Sequence, residues 1–213
     1  MQFRDRTIPP WRGVGRALLL AAVAGAALVS GCTPAVYQAP PDAPTTTFSR
    51  ELNASFDQVW SAVTYVAGSM FFNIKNFDKA SGLMTLEYSD LRGGPGPYIT
   101  CGTMTGGLPL FKITPEPNSV LNYFAARLEL SGRANITVTS RGRNRTTVQI
   151  NSLYDLAAYQ RAGDVVVLVG KWKFTSREPD TQTVPIGLLR TAVTCRPSYK
   201  IEDQFLTEVG ARL

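Results

Sequence analysis

Apolar positions recur with a helical period near both ends of the chain. In NASFDQVWSAVTYVAGSMFF, which starts at Asn53, they fall every three or four residues, which predicts an amphipathic helix capped by Asn53 or Ser55. The C-terminal segment RPSYKIEDQFLTEVGARL repeats this pattern and predicts a terminal helix with Pro197 in its first turn.

Between these segments the pattern changes to the alternation that is typical of strands. FNIKNFDKASGLMTLEYSD predicts a hairpin whose turn contains Asp78 and Gly82. ANITVTSRGRNRTTVQI has apolar residues of equal parity on either side of Arg143, which predicts a second hairpin. DVVVLVGKWKF predicts a strand with Leu168 and Trp172 on the same face. We therefore expect an antiparallel sheet.

The first residues have the order of an export signal. Four arginines precede an uncharged apolar run from Ala17 to Leu28, which is too short for a membrane-spanning helix of about 20 residues. The following VSGC, residues 29–32, resembles the bacterial lipobox. The sequence thus predicts a lipoprotein signal peptide over residues 1–31 and an acylated Cys32. The alternative is an ordinary secretory signal that leaves Cys32 as a free thiol.

The lipobox resemblance also implies a location. Thr33 follows Cys32 in place of the aspartate that retains lipoproteins at the inner membrane, so we expect a lipid anchor in the outer membrane with the protein on the periplasmic face. Residues 32–46 are rich in proline and predict an extended tether, and residues 47–213 predict one domain. The signal contributes +3 of the net charge of +6, so the rest of the chain gives little reason to expect nucleic acid as a partner.

Lipidation of Cys32 leaves two cysteines, Cys101 and Cys195. Two thiols in an oxidising compartment predict a disulfide bond. A redox-active or nucleophilic thiol is the alternative, but the chain has no C-x-x-C motif and no histidine that would lower a thiol pKa.

The predicted order of a strand, a helix, a meander of strands and a long last helix is that of helix-grip domains, such as the START and pollen-allergen types. More narrowly, SFDQVWSAV and FDKASGLMTLEY resemble a helix-grip unit of the BamC-like lipoproteins, which belong to the outer-membrane β-barrel assembly machinery. In that unit a helix with a buried tryptophan leads to a D-x-x-x-G turn and a strand that ends in tyrosine. The matching positions are Phe56, Val59, Trp60, Asp78, Gly82, Glu87 and Tyr88.

This resemblance implies an α+β helix-grip fold, in which an antiparallel sheet of about six strands packs against an N-terminal and a C-terminal helix. It also implies an accessory role in an envelope assembly complex. The chain differs from the BamC-like lipoproteins by having one grip unit instead of two, a short tether and an added pair of cysteines.

Few residues suggest catalysis. Without histidine, the Ser-His-Asp and Cys-His arrangements are excluded and no good zinc site is left, and no nucleotide-binding motif occurs. Glu202 and Asp203 are adjacent, so on a helix their side chains diverge by about 100°. A Ser-Lys or paired-carboxylate enzyme is the alternative that the sequence leaves open, but we expect no enzyme, no cofactor and no metal.

Two groups of residues are candidates for a ligand or partner surface. Arg141, Arg143 and Arg145 form a basic hairpin tip, which is either a surface for phosphates or an acidic partner or simply a solvated turn. Trp60 and Trp172 are large aromatic residues suited to a binding surface or to the core. The predicted function is a non-catalytic lipoprotein that presents a periplasmic domain to an envelope protein. The alternative is a carrier or sensor of a hydrophobic ligand in a helix-grip cavity.

Overall fold

A computed structural model of the protein describes residues 33–42, 48–70, 72–89, 94–107, 118–186 and 189–213. The predicted signal peptide and Cys32 lie outside these residues. Among the helices of the described residues, none has both the length and the apolar character needed to cross a membrane.

The described chain contains eleven strands, three α-helices and one short 3-10 helix. The strands are β1 (Thr33–Gln38), β2 (Ser49–Leu52), β3 (Asn73–Asp78), β4 (Leu83–Ser89), β5 (Ile99–Thr100), β6 (Thr103–Gly107), β7 (Arg127–Gly142), β8 (Arg145–Ala162), β9 (Val165–Thr175), β10 (Asp180–Ile186) and β11 (Leu189–Pro197). The helices are α1 (Phe56–Ser69), α2 (Ser119–Phe124) and α3 (Lys200–Gly210), and the 3-10 helix is Gly96–Tyr98.

The strands form three antiparallel sheets. The largest has the order β2-β8-β7-β4-β3, and β9 pairs with the second half of β8. Because β7 pairs with β8 along most of its length, β2 and β9 share the other edge of β8, at residues 146–149 and 153–162 respectively. The smaller sheets are β10-β11-β5 and β1-β6.

The long hairpin of β7 and β8 forms the centre of the largest sheet. Ile136 pairs with Ile150 and Val138 with Val148, and all four side chains are buried on one face. The strands turn next to Arg143, so the predicted hairpin is confirmed. Alternation with a period of two specifies this register because a slip by one residue would expose the whole apolar set.

Both predicted amphipathic helices are present. Ser55 caps α1, where its hydroxyl accepts from Gln58 N and the Gln58 side chain accepts from Ser55 N. In α3 the buried face includes Phe205 and Val209, as the sequence predicts. This helix begins at Lys200, however, and Pro197 instead ends β11.

The strand β9 departs from the predicted facing pattern. Gly170 pairs with Ala158 but Leu168 pairs with Tyr159, so the register shifts at this point. The extra residue is a β-bulge, and it turns Leu168 away from the face that carries Trp172. The prediction of a common face for Leu168 and Trp172 is therefore wrong.

The predicted α+β helix-grip fold is wrong as well. Strands make up 56% of the structure and helices 22%, so the protein is mostly β. Instead of one sheet with two flanking helices, there are three sheets and a further helix, α2. The fully buried Trp172 of β9 is covered by the sheet β10-β11-β5, because its indole N–H donates to the Val193 carbonyl of β11 at 2.9 Å.

The start of the described chain also differs from the predicted tether. Residues 33–38 form β1, which pairs with β6. The Tyr37 hydroxyl lies 3.1 Å from the Cys101 carbonyl oxygen, to which it donates, and accepts from Thr194 N at 2.9 Å. This part of the 32–46 segment is therefore held against the domain.

Candidate functional site

The predicted disulfide is present between Cys101 and Cys195. The two sulfur atoms are 2.04 Å apart, the Cα atoms are 4.0 Å apart, and both residues are fully buried. Asn118 supports the same region, because its side chain accepts from Cys101 N at 2.7 Å and donates to the Ile99 carbonyl at 2.9 Å. The glycine-rich segment before β6 is thereby fixed to β11.

The three arginines that the sequence indicated lie at the tip of the β7–β8 hairpin and are exposed. Arg145 forms an ion pair with Glu51 at 3.4 Å, and both side chains are more than half exposed. Screening by water makes such a pair weak. The three side chains at the tip are thus exposed to solvent, which both a solvated turn and a contact surface require.

The two tryptophans lie in the core and do not join this tip. Trp60 is 3% exposed and packs between the rings of Phe56 and Phe77, at centroid distances of 5.9 and 5.2 Å. Trp172 is fully buried beside β11. Neither indole contributes to an exposed surface. Both tryptophans therefore belong to the core, which was one of the two roles that the sequence allowed.

Next to Trp60 there is an open groove of about 720 Å³. Phe56 and Val138 supply apolar surface to it, and Lys79 and Ser140 lie at its margin. Lys79 forms an exposed ion pair with Asp57 at 2.8 Å. The groove is open to solvent, so it differs from the enclosed cavity that a carrier of hydrophobic ligands needs.

A carboxyl group is buried where α3 meets the largest sheet. Glu202 lies in the first turn of α3 without exposed surface, whereas its neighbour Asp203 is exposed. The Tyr154 hydroxyl lies 2.8 and 3.0 Å from the two carboxylate oxygens, and Ser176 Oγ donates at 2.7 Å. We call Glu202, Tyr154 and Ser176 the carboxylate cluster.

The tyrosines around Glu202 act as hydrogen-bond donors. Burial raises the pKa of Tyr154 well above its usual value, and the nearby charge of Glu202 raises it further. Burial also raises the pKa of Tyr88, whose ring centroid is 5.8 Å from that of Tyr154. Both hydroxyls therefore stay protonated at neutral pH. Tyr154 donates to Glu202 of α3, whereas Tyr88 donates to the Leu153 carbonyl of β8 at 2.8 Å.

One feature of the sequence points to this cluster. Glu202 precedes Phe205 by three residues and Val209 by seven, which places it on the apolar face of α3.

Within the described residues there is no group of three or more His, Cys, Asp or Glu side chains that would hold a metal ion.

The most unusual exposed feature is the start of β9. Val165, Val166, Val167 and Leu168 are 59, 48, 41 and 54% exposed. We call these four residues the apolar edge. They pair with β8 on one side, and no other described strand pairs with them on the opposite side. On that side, backbone groups without a strand partner among the described residues are thus combined with four aliphatic side chains.

The opposite edge of the sheet is built differently. In β3 the register with β4 shifts between Ile74 and Asn76, at Lys75, which forms an ion pair with Glu87 at 3.1 Å. A bulge and a lysine are two means by which proteins protect an edge strand from pairing. The apolar edge of β9 has neither of them, since its bulge lies beyond Leu168 and its first lysine is Lys171.

Sequence reasoning placed a strand at the apolar edge but missed its exposure. A continuous run of valine and leucine is typical of a strand that is buried on both faces, so the pattern pointed away from a surface.

Comparison of the chain with models of protein families, with curated proteins and with solved structures found no match.

Proposed function

We propose that this protein is a non-catalytic lipoprotein of the outer membrane, anchored on the periplasmic face by an acylated Cys32, whose β domain binds a protein partner. The lipobox VSGC and the preceding export signal support the anchor. Two or three acyl chains together hold a protein on a bilayer where one would be marginal.

The observation that carries the binding role is the apolar edge. Val165 to Leu168 are each about half exposed, and on the side away from β8 no strand of the described part of the chain pairs with their backbone. An added strand would satisfy the backbone groups through ladder hydrogen bonds and cover the aliphatic side chains at the same time. In water this edge is an aggregation hazard unless a partner covers it. Protein docking therefore accounts for its composition better than an enzyme active site does.

The alternative of a hydrophobic-ligand carrier has less support. Trp172, Phe174 and Trp60 are packed in the core, and the groove beside Phe56 is open to solvent. A carrier would cover most of its ligand's surface, as enclosed pockets do.

A photo-crosslinking side chain at Val167 tests the docking role. In cells that express the full chain, we expect p-benzoylphenylalanine at this position to form a discrete protein adduct, because the side chain would lie beside those of the partner's strand. Ile74 on β3 is the matched control, since it is as exposed as Val167 (41% each) but lies on the protected edge. Equal adducts from both positions, or none from Val167, would contradict the proposal.

Replacement of Cys32 by alanine tests the anchor. Because the thioether on Cys32 is the anchor that we propose, the variant is expected to become a soluble or unprocessed periplasmic protein without incorporated palmitate. Cell fractionation and labelling with radioactive palmitate measure both properties. A Cys32→Ala chain that still carries palmitate and sediments with outer membranes would show that the lipobox interpretation is wrong.

A further inference from the structure

We infer that the partner at the apolar edge is a second copy of this chain, paired antiparallel through β9 about a two-fold axis. The inference rests on the proposed function, because it names the occupant of the docking edge described there. Two copies would then share one continuous sheet across the interface.

The composition of the edge suits pairing with itself. Val165 to Leu168 are all aliphatic, so that any register within this run places apolar residues opposite apolar residues. Neighbouring aliphatic side chains on paired strands stabilise a sheet, whereas like charges directly opposite one another destabilise it. No charged residue of β9 lies within the run, so self-pairing meets no repulsion there.

The charges at the two ends of the run favour the antiparallel direction. Asp164 immediately precedes the run, and Lys171 follows it after Val169 and Gly170. Antiparallel pairing brings the acidic end of each copy to the basic end of the other, whereas parallel pairing would align like charges. Charge complementarity thus selects one orientation.

The charges also restrict the register to one near the middle of the run. With Val167 opposite its own counterpart, Val166 faces Leu168 of the second copy, and Asp164 lies one position from Lys171 of the second copy. A two-fold axis perpendicular to the sheet keeps the same faces together, as continuous antiparallel pairing requires. Within one copy, Asp164 and Lys171 lie about 20 Å apart along the strand, too far for an ion pair.

The contrast with the rest of the sheet supports the choice of surface. The other long edge, β3, carries Lys75 and a register shift. After Gly170, the side of β9 that faces away from β8 contacts β10, where Lys173 N donates to Asp180 Oδ2 at 2.8 Å. The apolar edge is the stretch of β9 that is left for a second strand.

The test uses the full acylated chain in detergent with a single introduced cysteine. Val167→Cys is expected to form a disulfide-linked dimer under mild oxidation, because directly opposed residues bring their Cα atoms to about 5 Å, within reach of a disulfide. Ile74→Cys is the matched control and is expected to stay monomeric. Cys101 and Cys195 are bonded to each other, so they do not compete.

Sedimentation equilibrium of variants without the added cysteine measures the same contact at equilibrium. Val167→Lys opposes two lysines at the two-fold axis and is expected to raise the dimer dissociation constant about tenfold or more. Asp164→Lys and Lys171→Asp are each expected to weaken the dimer, and the double exchange to restore it.

The outcomes separate this inference from the proposed function. A monomer by sedimentation, with Val167→Cys crosslinking no more than Ile74→Cys, would overturn the inference. If the photo-crosslinker at Val167 then still forms an adduct of another mass, the docking role stands and its partner is a different protein. Absence of both products would overturn both proposals.

Discussion

Replacement of both Cys101 and Cys195 by alanine is expected to lower the free energy of unfolding by about 4 kcal/mol. The bond joins residues that are 94 positions apart, so its loss frees a long loop in the unfolded chain and raises the entropy of that state. Urea denaturation of the exported protein, extracted from membranes in detergent, measures the difference. The proposed lipid anchor is expected to remain, because Cys32 is unchanged.

The reduced wild-type protein is the control for this prediction. It keeps both sulfur atoms in the core and lacks only the covalent link, so it separates the effect of the crosslink from that of the two cavities left by alanine. We expect most of the loss to be present in the reduced wild type. A double variant within about 1 kcal/mol of the oxidised wild type would contradict the entropic account of this bond.

The local elements of this protein were predictable because their periods are strong. The hairpin about Arg143 has four apolar positions of equal parity, and α1 has both a cap at Ser55 and a helical apolar face. Each of these signals lies within a short window of sequence. The disulfide was predictable for a different reason, since the chain has three cysteines and the predicted acylation of Cys32 left one pair.

The assembly of these elements was not predictable in the same way. β1 and β10 contain threonine and proline rather than a clear alternation, and α2 has only six residues, so none of them has a periodic signal. The carbonyl that accepts from the Trp172 indole belongs to Val193 of β11, 21 residues further along the chain and in a different sheet. A period shows which residues of an element are buried, but not which element covers them, and the helix-grip interpretation failed at that step.

The candidate site shows the same limit of prediction from local sequence patterns. The arginine tip was predictable because turns between long strands are exposed. The exposure of Val165 to Leu168 was not, because a run of aliphatic residues that no polar residue interrupts is the pattern of a buried strand. The position of the strand at an edge, which only the whole sheet decides, makes it a surface.

The carboxylate cluster gives the second large effect that we expect. Tyr154→Phe removes the hydroxyl that lies within 3.0 Å of both oxygens of Glu202 and leaves a buried carboxylate with fewer donors. The expected loss in the free energy of unfolding is about 2 to 3 kcal/mol, because hydrogen bonds to charged groups are among the stronger ones and a buried group without a partner is costly. Urea denaturation at pH 7 measures it.

Tyr159→Phe is the matched control. The Tyr159 hydroxyl also donates to a carboxylate, Glu129 Oε2, at 2.9 Å, but this bond is exposed. Water replaces the lost partner there, so we expect a change below about 0.5 kcal/mol. Equal losses in the two variants would show that burial of Glu202 does not determine the effect.

A second substitution at Glu202 distinguishes an unsatisfied carboxylate from a simple packing defect. In the background Glu202→Met, whose side chain is apolar and of similar length, Tyr154→Phe no longer leaves a buried charge without donors. The hydroxyl and the carboxylate are then both replaced by apolar groups of similar shape, a change that is nearly neutral in other cores. We therefore expect the double variant to be more stable than Tyr154→Phe alone, and additive losses in the double-mutant cycle would contradict this account.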